Sequence, residues 1–324
     1  MSHVLIGTSG WSYPSGKGTW NGVFYPAGKG EARLPGRRGR FDELAFYAEH
    51  FDTVEINSTF YRVPAVEVTR SWARRTPPDF EFAAKLFQKF THPAMFEKAA
   101  PGQESTVSLA DVDQFKAALD PLASSGKLGP LLAQFPASFK REPAAIDYVD
   151  WLLRVFRGHR VAVELRHRSW SDGLAQTLEL LNGHGAAWVQ IDEPKFRFSI
   201  RQDLAPNVSS FFYLRLHGRN AAAWWEHQAS EDRYNYLYTD DELRPYSEAV
   251  LASRRLVRKL YLYMNNHFEA KAVANAVMLK QQLGEPIAGT YPESFFEHFP
   301  ALRGIAPGAS AEAPPASDLL GPRE

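Results

Sequence analysis

Charged side chains recur near the ends of short segments that have the composition of β-strands. A fold that brings these ends together would place the charges in one pocket. Six stand at such positions: Glu55, Glu164, Asp192, Lys85, Arg166 and Arg215. A pocket tolerates three acids and three bases together because each buried charge then finds a partner. Such a set suits acid–base catalysis with electrostatic stabilisation of developing negative charge. The alternative is that the six form structural ion pairs.

The predicted catalytic roles follow from these residue types. Glu55 or Glu164 is predicted to act as general acid or base. Lys85, Arg166 and Arg215 are predicted to stabilise developing negative charge. His217 closes a further β-type segment and is predicted to transfer a proton.

The elements that must position these side chains alternate along the chain. The predicted strands are Val4–Thr8, Thr53–Asn57, Phe80–Lys85, Leu131–Phe135, Val161–Arg166, Ala187–Asp192, Phe211–His217 and Leu260–Asn265. The predicted helices are Phe41–His50, Ala65–Arg75, Asp111–Ser124, Pro143–Phe156, Gly173–His184, Asp240–Lys259 and Ala270–Leu283. Eight strands with helical crossovers predict an α/β fold, a single (β/α)8 TIM-barrel-like domain, with a doubly wound open sheet as the alternative. The sixth connection, residues 193–210, lacks a helical period.

Alternation within the strands fixes which side chains face inward. In the second strand Val54 and Ile56 form the apolar, outward set, which leaves Glu55 inside. The same phase works for seven strands, and each carries its polar residue near its C-terminal end. Active sites of such barrels lie at that end, so we predict a pocket there.

Substrate-binding candidates lie at this end and in the loops that follow the strands. They are Trp11, Tyr13, Asn57, Tyr61, Gln134, Trp170, Asp192, Arg215, Arg219, Asn265 and Asn266. Arg219 and Asn266 lie in the loops after the last two strands, which hold phosphate in many barrels, so an anion is expected there. The predicted rim is also aromatic, as suits a sugar or a base: Trp11, Tyr13, Phe60, Tyr61, Trp170, Trp224, Trp225, Tyr234 and Tyr236.

Composition limits the class of protein. The 324 residues carry 37 Lys+Arg and 37 Asp+Glu, and no cysteine, which excludes disulfides, thiolate metal sites and cysteine nucleophiles. No apolar run is long enough for a membrane span, and the N-terminus does not resemble a signal peptide. A cytoplasmic protein without membrane association and without a cofactor is expected.

Two segments lie outside the barrel pattern. The barrel domain is predicted over 1–305, and within it residues 13–40 form a long, basic rim loop after the first strand. Residues 306–324 are rich in Pro, Ala, Gly and Ser and are predicted to be a disordered tail.

The sequence disfavours three specific kinds of site: a P-loop, the active site of a retaining glycosidase and a metal site. The stretch GTSGWSYPSGKGTW lacks the spacing of a phosphate-binding P-loop and does not open a helix, so Lys17 is predicted to be a surface charge. A retaining glycosidase of the common barrel type needs carboxylates where this chain has Gln134 and Arg215. A metal site built on His217, Glu164, Asp192 and Glu55 would be opposed by the neighbouring cations, so no metal is predicted.

Several segments together resemble the YecE-like family, domain of unknown function 72. They are GTSGWSY (7–13), VEINSTFYRVP (54–64), FAAKLFQKFTH (82–92), LLAQFPASF (131–139), VAVELRHRSW (161–170), IDEP (191–194), YLRLHGRN (213–220) and YLYMNNH (261–267). The resemblance spans the chain in order and implies a TIM-barrel-like fold. It supplies no reaction, because the family's biochemical function is not established. The basic insertion at 28–40 looks larger than the family's usual first loop.

Three functions follow from these observations. The first is a metal-independent enzyme, hydrolase- or lyase-like, acting on a small anionic, phosphorylated or sugar-like substrate at the barrel mouth. The second is a nucleic-acid-binding or nucleic-acid-processing protein, in which the basic rim loop would grip the phosphate backbone. The third is a metabolite-binding protein without catalysis.

Overall fold

The computed structural model describes residues 2–28, 41–222, 224 and 230–308, with the side chains of residues 230 and 231 excepted. The predicted parallel barrel is confirmed. The strands are β1 (His3–Ser9), β2 (Thr53–Ile56), β3 (Glu81–Lys85), β4 (Leu128–Gln134), β5 (Val161–Glu164), β6 (Ala187–Trp188), β7 (Gln190–Asp192), β8 (Phe211–Leu216) and β9 (Lys259–Met264).

All strand pairs are parallel, in the order β6-β5-β4-β3-β2-β1-β9-β8-β7. The two end strands, β6 and β7, are halves of the one strand predicted over Ala187–Asp192, separated by Val189. The first half pairs with β5 and the second half with β8. The sheet therefore closes into a barrel at this break, and the open doubly wound alternative is wrong.

Helices cover the outside of the barrel. They are α1 (Glu43–Tyr47), α2 (Ser58–Tyr61), α3 (Val66–Arg74), α4 (Gln88–Thr91), α5 (Pro93–Ala99), α6 (Leu109–Ser124), α7 (Pro143–Val155), α8 (Ser169–Asp172), α9 (Leu174–Gly183), α10 (Asp240–Ser253), α11 (Lys271–Leu283) and α12 (Glu293–His298). Thr239 caps α10 and exchanges hydrogen bonds with Glu242, as the TDDE sequence predicts. No helix occurs within residues 193–210, all of which are described, in agreement with the missing period.

The predicted inward phase is confirmed by contacts across the barrel. Glu55 on β2 accepts a hydrogen bond from the Tyr213 hydroxyl on β8 at 2.6 Å. The hydroxyls of Thr53 and Tyr263 lie 2.7 Å apart between β2 and β9. The outward Val54 is fully buried against the helical layer. Period-two alternation therefore placed polar groups inside and apolar groups beneath the helices.

The first loop contributes to the core rather than only to the rim. Trp20, Phe24 and Tyr25 are buried, and the Trp20 indole N–H donates to the His267 carbonyl at 2.7 Å. The burial of these three rings was not predicted, because they lie in an irregular segment without the period of a strand or helix. Lys17 is exposed, as predicted, and residues 29–40 of the basic insertion lie outside the described residues.

Residues 306–308, the first three of the predicted tail, are described. Ala306 is buried, and the Tyr291 amide donates to the Pro307 carbonyl at 2.8 Å. These residues therefore contact the barrel domain, and the domain boundary between 305 and 306 stays a prediction. The rest of that prediction, from 309 onward, lies outside the described residues. None of the helices within the described ranges is both long and apolar enough to cross a membrane.

Gly7 of β1 lies against Thr53 and Tyr47, and Gly7→Ala is expected to destabilise the barrel. An added Cβ would lie 2.1 Å from the Thr53 carbonyl oxygen and 3.0 Å from the Tyr47 hydroxyl, so the backbone must move. We expect a loss of about 1–3 kcal/mol in the free energy of unfolding, measured by urea denaturation. Gly183→Ala is the control, because its Cβ meets nothing within 4 Å. Equal stability of the two variants would contradict this account of Gly7.

Candidate active site

A polar cavity of about 240 Å³ lies at the C-terminal end of the barrel. The predicted site residues that line it are Tyr13, Asn57, Tyr61, Lys85, Gln134, Arg166, Arg215 and Asn265. Arg233, Tyr234 and His267 complete the lining. Asn57, Lys85, Gln134 and Asn265 end a strand or directly follow one, and parallel strands bring those positions together at one end of the barrel.

Arg215 forms the charged floor of the cavity. Its guanidinium donates to Glu55 at 2.7 Å and to Glu164 at 2.5 Å, and all three side chains are at most 1 % exposed. A weaker bond joins it to the Gln134 amide oxygen at 3.2 Å. The ion pair thus links β2, β4, β5 and β8 through the barrel interior. Among the described residues that line the cavity, neither Glu55 nor Glu164 occurs.

Arg166 extends this network towards the surface. Its guanidinium pairs with Glu164 at 2.6 Å and with Glu193 at 3.1 Å. The His217 Nε2 atom lies 3.3 Å from Arg166 Nη2, and the Nδ1 atom lies 2.8 Å from the Asn265 amide. Both arginines of the floor are therefore already matched by carboxylates.

The protonation states follow from burial and from these pairings. Burial acts to raise the pKa of Glu164, but the charges of Arg215 and Arg166 outweigh it and hold that pKa well below its usual range. Burial, together with the charges of the same two arginines, lowers the pKa of His217 to about 3. Glu164 is therefore a carboxylate and His217 a neutral imidazole at neutral pH. Neither holds a proton that it can readily exchange, so the geometry supports charge-holding rather than acid–base roles for them.

Lys85 differs from the other cations of the site. It ends β3 and lines the cavity, with its Nζ atom 4.1 Å from the centre of the Phe60 ring. Burial lowers its pKa to about 7, and the nearby Arg215 adds to the effect. Of the described side chains and backbone groups, none forms a hydrogen bond or ion pair with Nζ. The amine is therefore open to a molecule in the cavity.

A stack of rings forms one wall of the cavity. The His267 ring stacks on Tyr13 at 4.3 Å between ring centres and lies 4.7 Å from Tyr234. Burial lowers the pKa of His267 to about 3, so this imidazole is neutral. Asn265 and Asn266 were predicted from the sequence as site residues, but His267 was given no role. The motif YLYMNNH could have indicated it, since it places His267 three residues after the end of β9.

Two predicted aromatic residues lie away from this cavity. Trp11 packs edge-on against Trp72, at 5.4 Å between ring centres, and lines a separate cavity of about 150 Å³ beside the mouth. Trp170 is fully buried, and its indole N–H donates to the Phe139 carbonyl at 2.9 Å. Both rings pack between strand ends and helices and neither lines the mouth cavity, so their substrate contacts stay a prediction. Trp225 lies outside the described residues.

The predicted anion-binding residues of the late loops are engaged with other side chains. Arg219 pairs with Asp192 at 2.7 Å and with Glu242 at 3.4 Å. The Asn266 amide donates to Asn275 at 2.7 Å. Asp192, Arg219 and Asn266 therefore hold the loop against α10 and α11 and do not line the mouth cavity. Two carboxylates already balance the charge of Arg219, which disfavours the predicted anion contact, and that contact stays a prediction.

No group of three or more His, Cys, Asp or Glu side chains is arranged to hold a metal ion within the described ranges. The predicted ligand set is divided, since Asp192 pairs with Arg219 while Glu164 and Glu55 pair with Arg215. That the site works without a metal stays a prediction.

Together, the fold and the cavity define an α/β barrel with a polar site at the C-terminal end of its strands. The chain belongs to a family whose model, described as protein of unknown function DUF72, matches residues 5–295. It is similar to the UPF0759 protein YunF of Bacillus subtilis, with 25% identity over 89% of this chain and 98% of that protein. The UPF0759 protein YecE of Escherichia coli is 32% identical over 126 residues, which are 38% of this chain and 41% of YecE.

Solved structures agree with the fold. A DUF72 family protein of Thermotoga maritima matches with a TM-score of 0.72 and 33% identity, over 87% of this chain and 100% of that one. A DUF72 family protein of Enterococcus faecalis matches with a TM-score of 0.71 and 24% identity, over 87% and 96%. The resemblance noted from the sequence is confirmed.

Arg215→Met is expected to destabilise the protein strongly. The substitution leaves Glu55 buried without its arginine and Glu164 with Arg166 alone, which costs about 3–5 kcal/mol. The loss should shrink as the pH falls towards 4, because protonation then removes buried negative charge that lacks its cation, whereas a packing defect would not depend on pH. Urea denaturation at both pH values measures this. Arg303→Met, which removes an exposed pair with Glu293, is the control and should change little.

The reactivity of the Lys85 amine should rise with pH as its lowered pKa predicts. Below about pH 7 the group is an ammonium ion, and above that pH it is a neutral nucleophile. Competitive labelling with acetic anhydride between pH 5 and 9, read by peptide mass spectrometry, should show Lys85 reaching half of its maximal reactivity near pH 7. The exposed Lys98 serves as the internal reference. A Lys85 profile that is still rising steeply at pH 9 would contradict the assignment.

Proposed function

We propose that this chain is an enzyme that acts on a small, polar, sugar-like molecule bound in the mouth cavity. The observation that carries the proposal is a pair of buried polar atoms at the cavity. Asn57 Oδ1 and His267 Nδ1 have no hydrogen-bond partner in the part of the chain that the structure describes. Buried polar atoms are nearly always paired, so such atoms in a cavity wall indicate a bound molecule or ordered water.

The size and the wall of the cavity support a small, ring-shaped or hydroxylated substrate. A volume of about 240 Å³ is below the range of drug-sized pockets. The stack of Tyr13, His267 and Tyr234 offers a flat apolar face, and the amides of Gln134 and Asn265 suit hydroxyl groups. An oligonucleotide would need a larger surface than this cavity.

The charges favour a sugar-like over a phosphorylated substrate. Arg166 and Arg215 are each matched by two carboxylates, so neither has an uncompensated charge for a dianion. The network also favours lyase-type over hydrolase-type chemistry. A hydrolase of the predicted kind needs Glu55 or Glu164 at the substrate, and both carboxylates are occupied by arginine beneath the cavity.

Tyr61→Ala tests the site, since this side chain lines the cavity while being 65% exposed, so its removal should not affect folding. Saturation-transfer NMR with monosaccharides, their phosphates and nucleosides should detect at least one ligand for the wild type. Loss of one ring contact should weaken its binding about tenfold. The control is Leu109→Ala, an equally exposed apolar residue at the start of α6.

The same spectra followed over hours measure conversion of the ligand. Consumption by the wild type supports an enzyme. Binding without conversion would instead support a metabolite-binding protein, and binding unaffected by Tyr61→Ala would place the ligand elsewhere. Absence of binding across the whole panel would overturn the proposal.

A further inference from the structure

Lys85 differs from the other more buried lysines in the part of the chain that the structure describes. Lys89 pairs with Asp111 at 2.9 Å, Lys127 donates to the Ala73 and Thr76 carbonyls, and Lys280 donates to the His50 carbonyl at 3.0 Å. Each of these ammonium groups has the partners that a buried charge requires. Lys85 has none among the described residues and ends at the mouth cavity instead. A structural role as an ion-pair partner therefore does not explain it.

The groups around the amine make it nucleophilic. Arg166 and Arg215 oppose a positive charge on Nζ, while Glu55 and Glu164 attract one. On the side of α2 and α4 the amine meets the Phe60 ring, and the His92 ring packs edge-on against Phe60. Burial, with the charge of Lys85, lowers the pKa of His92 to about 4, so His92 adds no charge at neutral pH.

The consequence is a large supply of free amine. With a pKa of about 7, roughly half of the Lys85 side chains are neutral at that pH. For a solvated lysine the neutral fraction at the same pH is below about one in a thousand. Desolvation next to other cations is an established way to activate a lysine as a nucleophile.

We propose that Lys85 Nζ forms an imine with the carbonyl carbon of a small aldehyde or ketone bound in the mouth cavity. The inference rests on the proposed function and narrows its substrate to a carbonyl compound, of which open-chain sugars are one class. The Nζ lone pair attacks the carbonyl carbon, a C–N bond forms, and the oxygen takes up two protons, one released by Nζ and one from solvent. The C–O bond then breaks and the oxygen leaves as water.

The step is balanced without an oxidant or reductant. One amine, one carbonyl and one proton from solvent give one iminium ion and one water. The positive charge of the iminium falls on Nζ, which the carboxylates of Glu164 and Glu55 attract through space. The amides of Asn57, Gln134 and Asn265 line the same cavity and can hold the hydroxyl groups of the bound molecule. The iminium then serves as an electron sink for cleaving or forming an adjacent C–C bond, as a lyase requires.

Reductive trapping tests the proposal. The wild-type protein is incubated at pH 7 with glycolaldehyde, dihydroxyacetone or pyruvate, reduced with sodium borohydride, and analysed by intact mass and peptide mapping. We expect one adduct per chain, mapped to Lys85 and at least about tenfold more abundant than any adduct on the exposed Lys98. Lys85→Met should abolish it and Lys98→Met should retain it. Peptide mapping of the wild type remains decisive even if Lys85→Met fails to fold, and Lys85→Arg then provides the variant without a free amine.

The outcomes separate this inference from the proposed function. If a ligand binds in a manner that depends on Tyr61 but no carbonyl probe is trapped on Lys85, the imine is wrong and the site stands. Labelling spread evenly over exposed lysines also overturns the imine. If neither binding nor trapping is observed, both proposals fall.

Discussion

The interior of this barrel depends on the pairing of Arg215 with Glu55 and Glu164. A guanidinium that is 1 % exposed is tolerated only if carboxylates inside the protein balance its charge. Two carboxylates from β2 and β5 meet it, and both are themselves fully buried. Because the three side chains come from strands that are not neighbours in the sheet, their bonds fix how the barrel closes at its C-terminal end.

This pairing also decides what the mouth can bind. Glu164 is shared between Arg215 and Arg166, so the positive charge of these two arginines is largely cancelled. Burial is the main cause of the lowered pKa of Lys85; Arg215 and Arg166 lower it further, whereas Glu164 and Glu55 raise it. The ion pairs therefore act on the amine in both directions, and its low pKa follows chiefly from its burial in the barrel mouth.

The fold and the residues that face the barrel interior could be predicted from the sequence. Which of those residues form ion pairs and which line the cavity could not. Alternation in VEI and in YLRL places Glu55 and Arg215 inside, since the outward positions must be apolar. Whether an inward charge pairs or faces the cavity depends on side-chain reach between distant strands, which no local pattern encodes. Arg219 illustrates this, because its partners Asp192 and Glu242 are far apart in sequence. The positions of Trp11 and Trp170 away from the mouth cavity were not predictable for a related reason, since an irregular segment and a single helical turn have no period to orient a ring.

The two ends of the barrel differ in how far their polar groups are paired. At the N-terminal end, Glu81 is buried and pairs with Lys259 and Arg160 while accepting a bond from the Tyr261 hydroxyl at 2.7 Å. At the C-terminal end two carboxylates match the charge of Arg215, yet the Nδ1 atom of His267 has no hydrogen-bond partner among the described residues. The Lys85 amine meets the Phe60 ring but, within the same residues, no hydrogen-bond or ion-pair partner. Polar groups left unmatched at the mouth are what the proposed function requires of a cavity that binds a molecule.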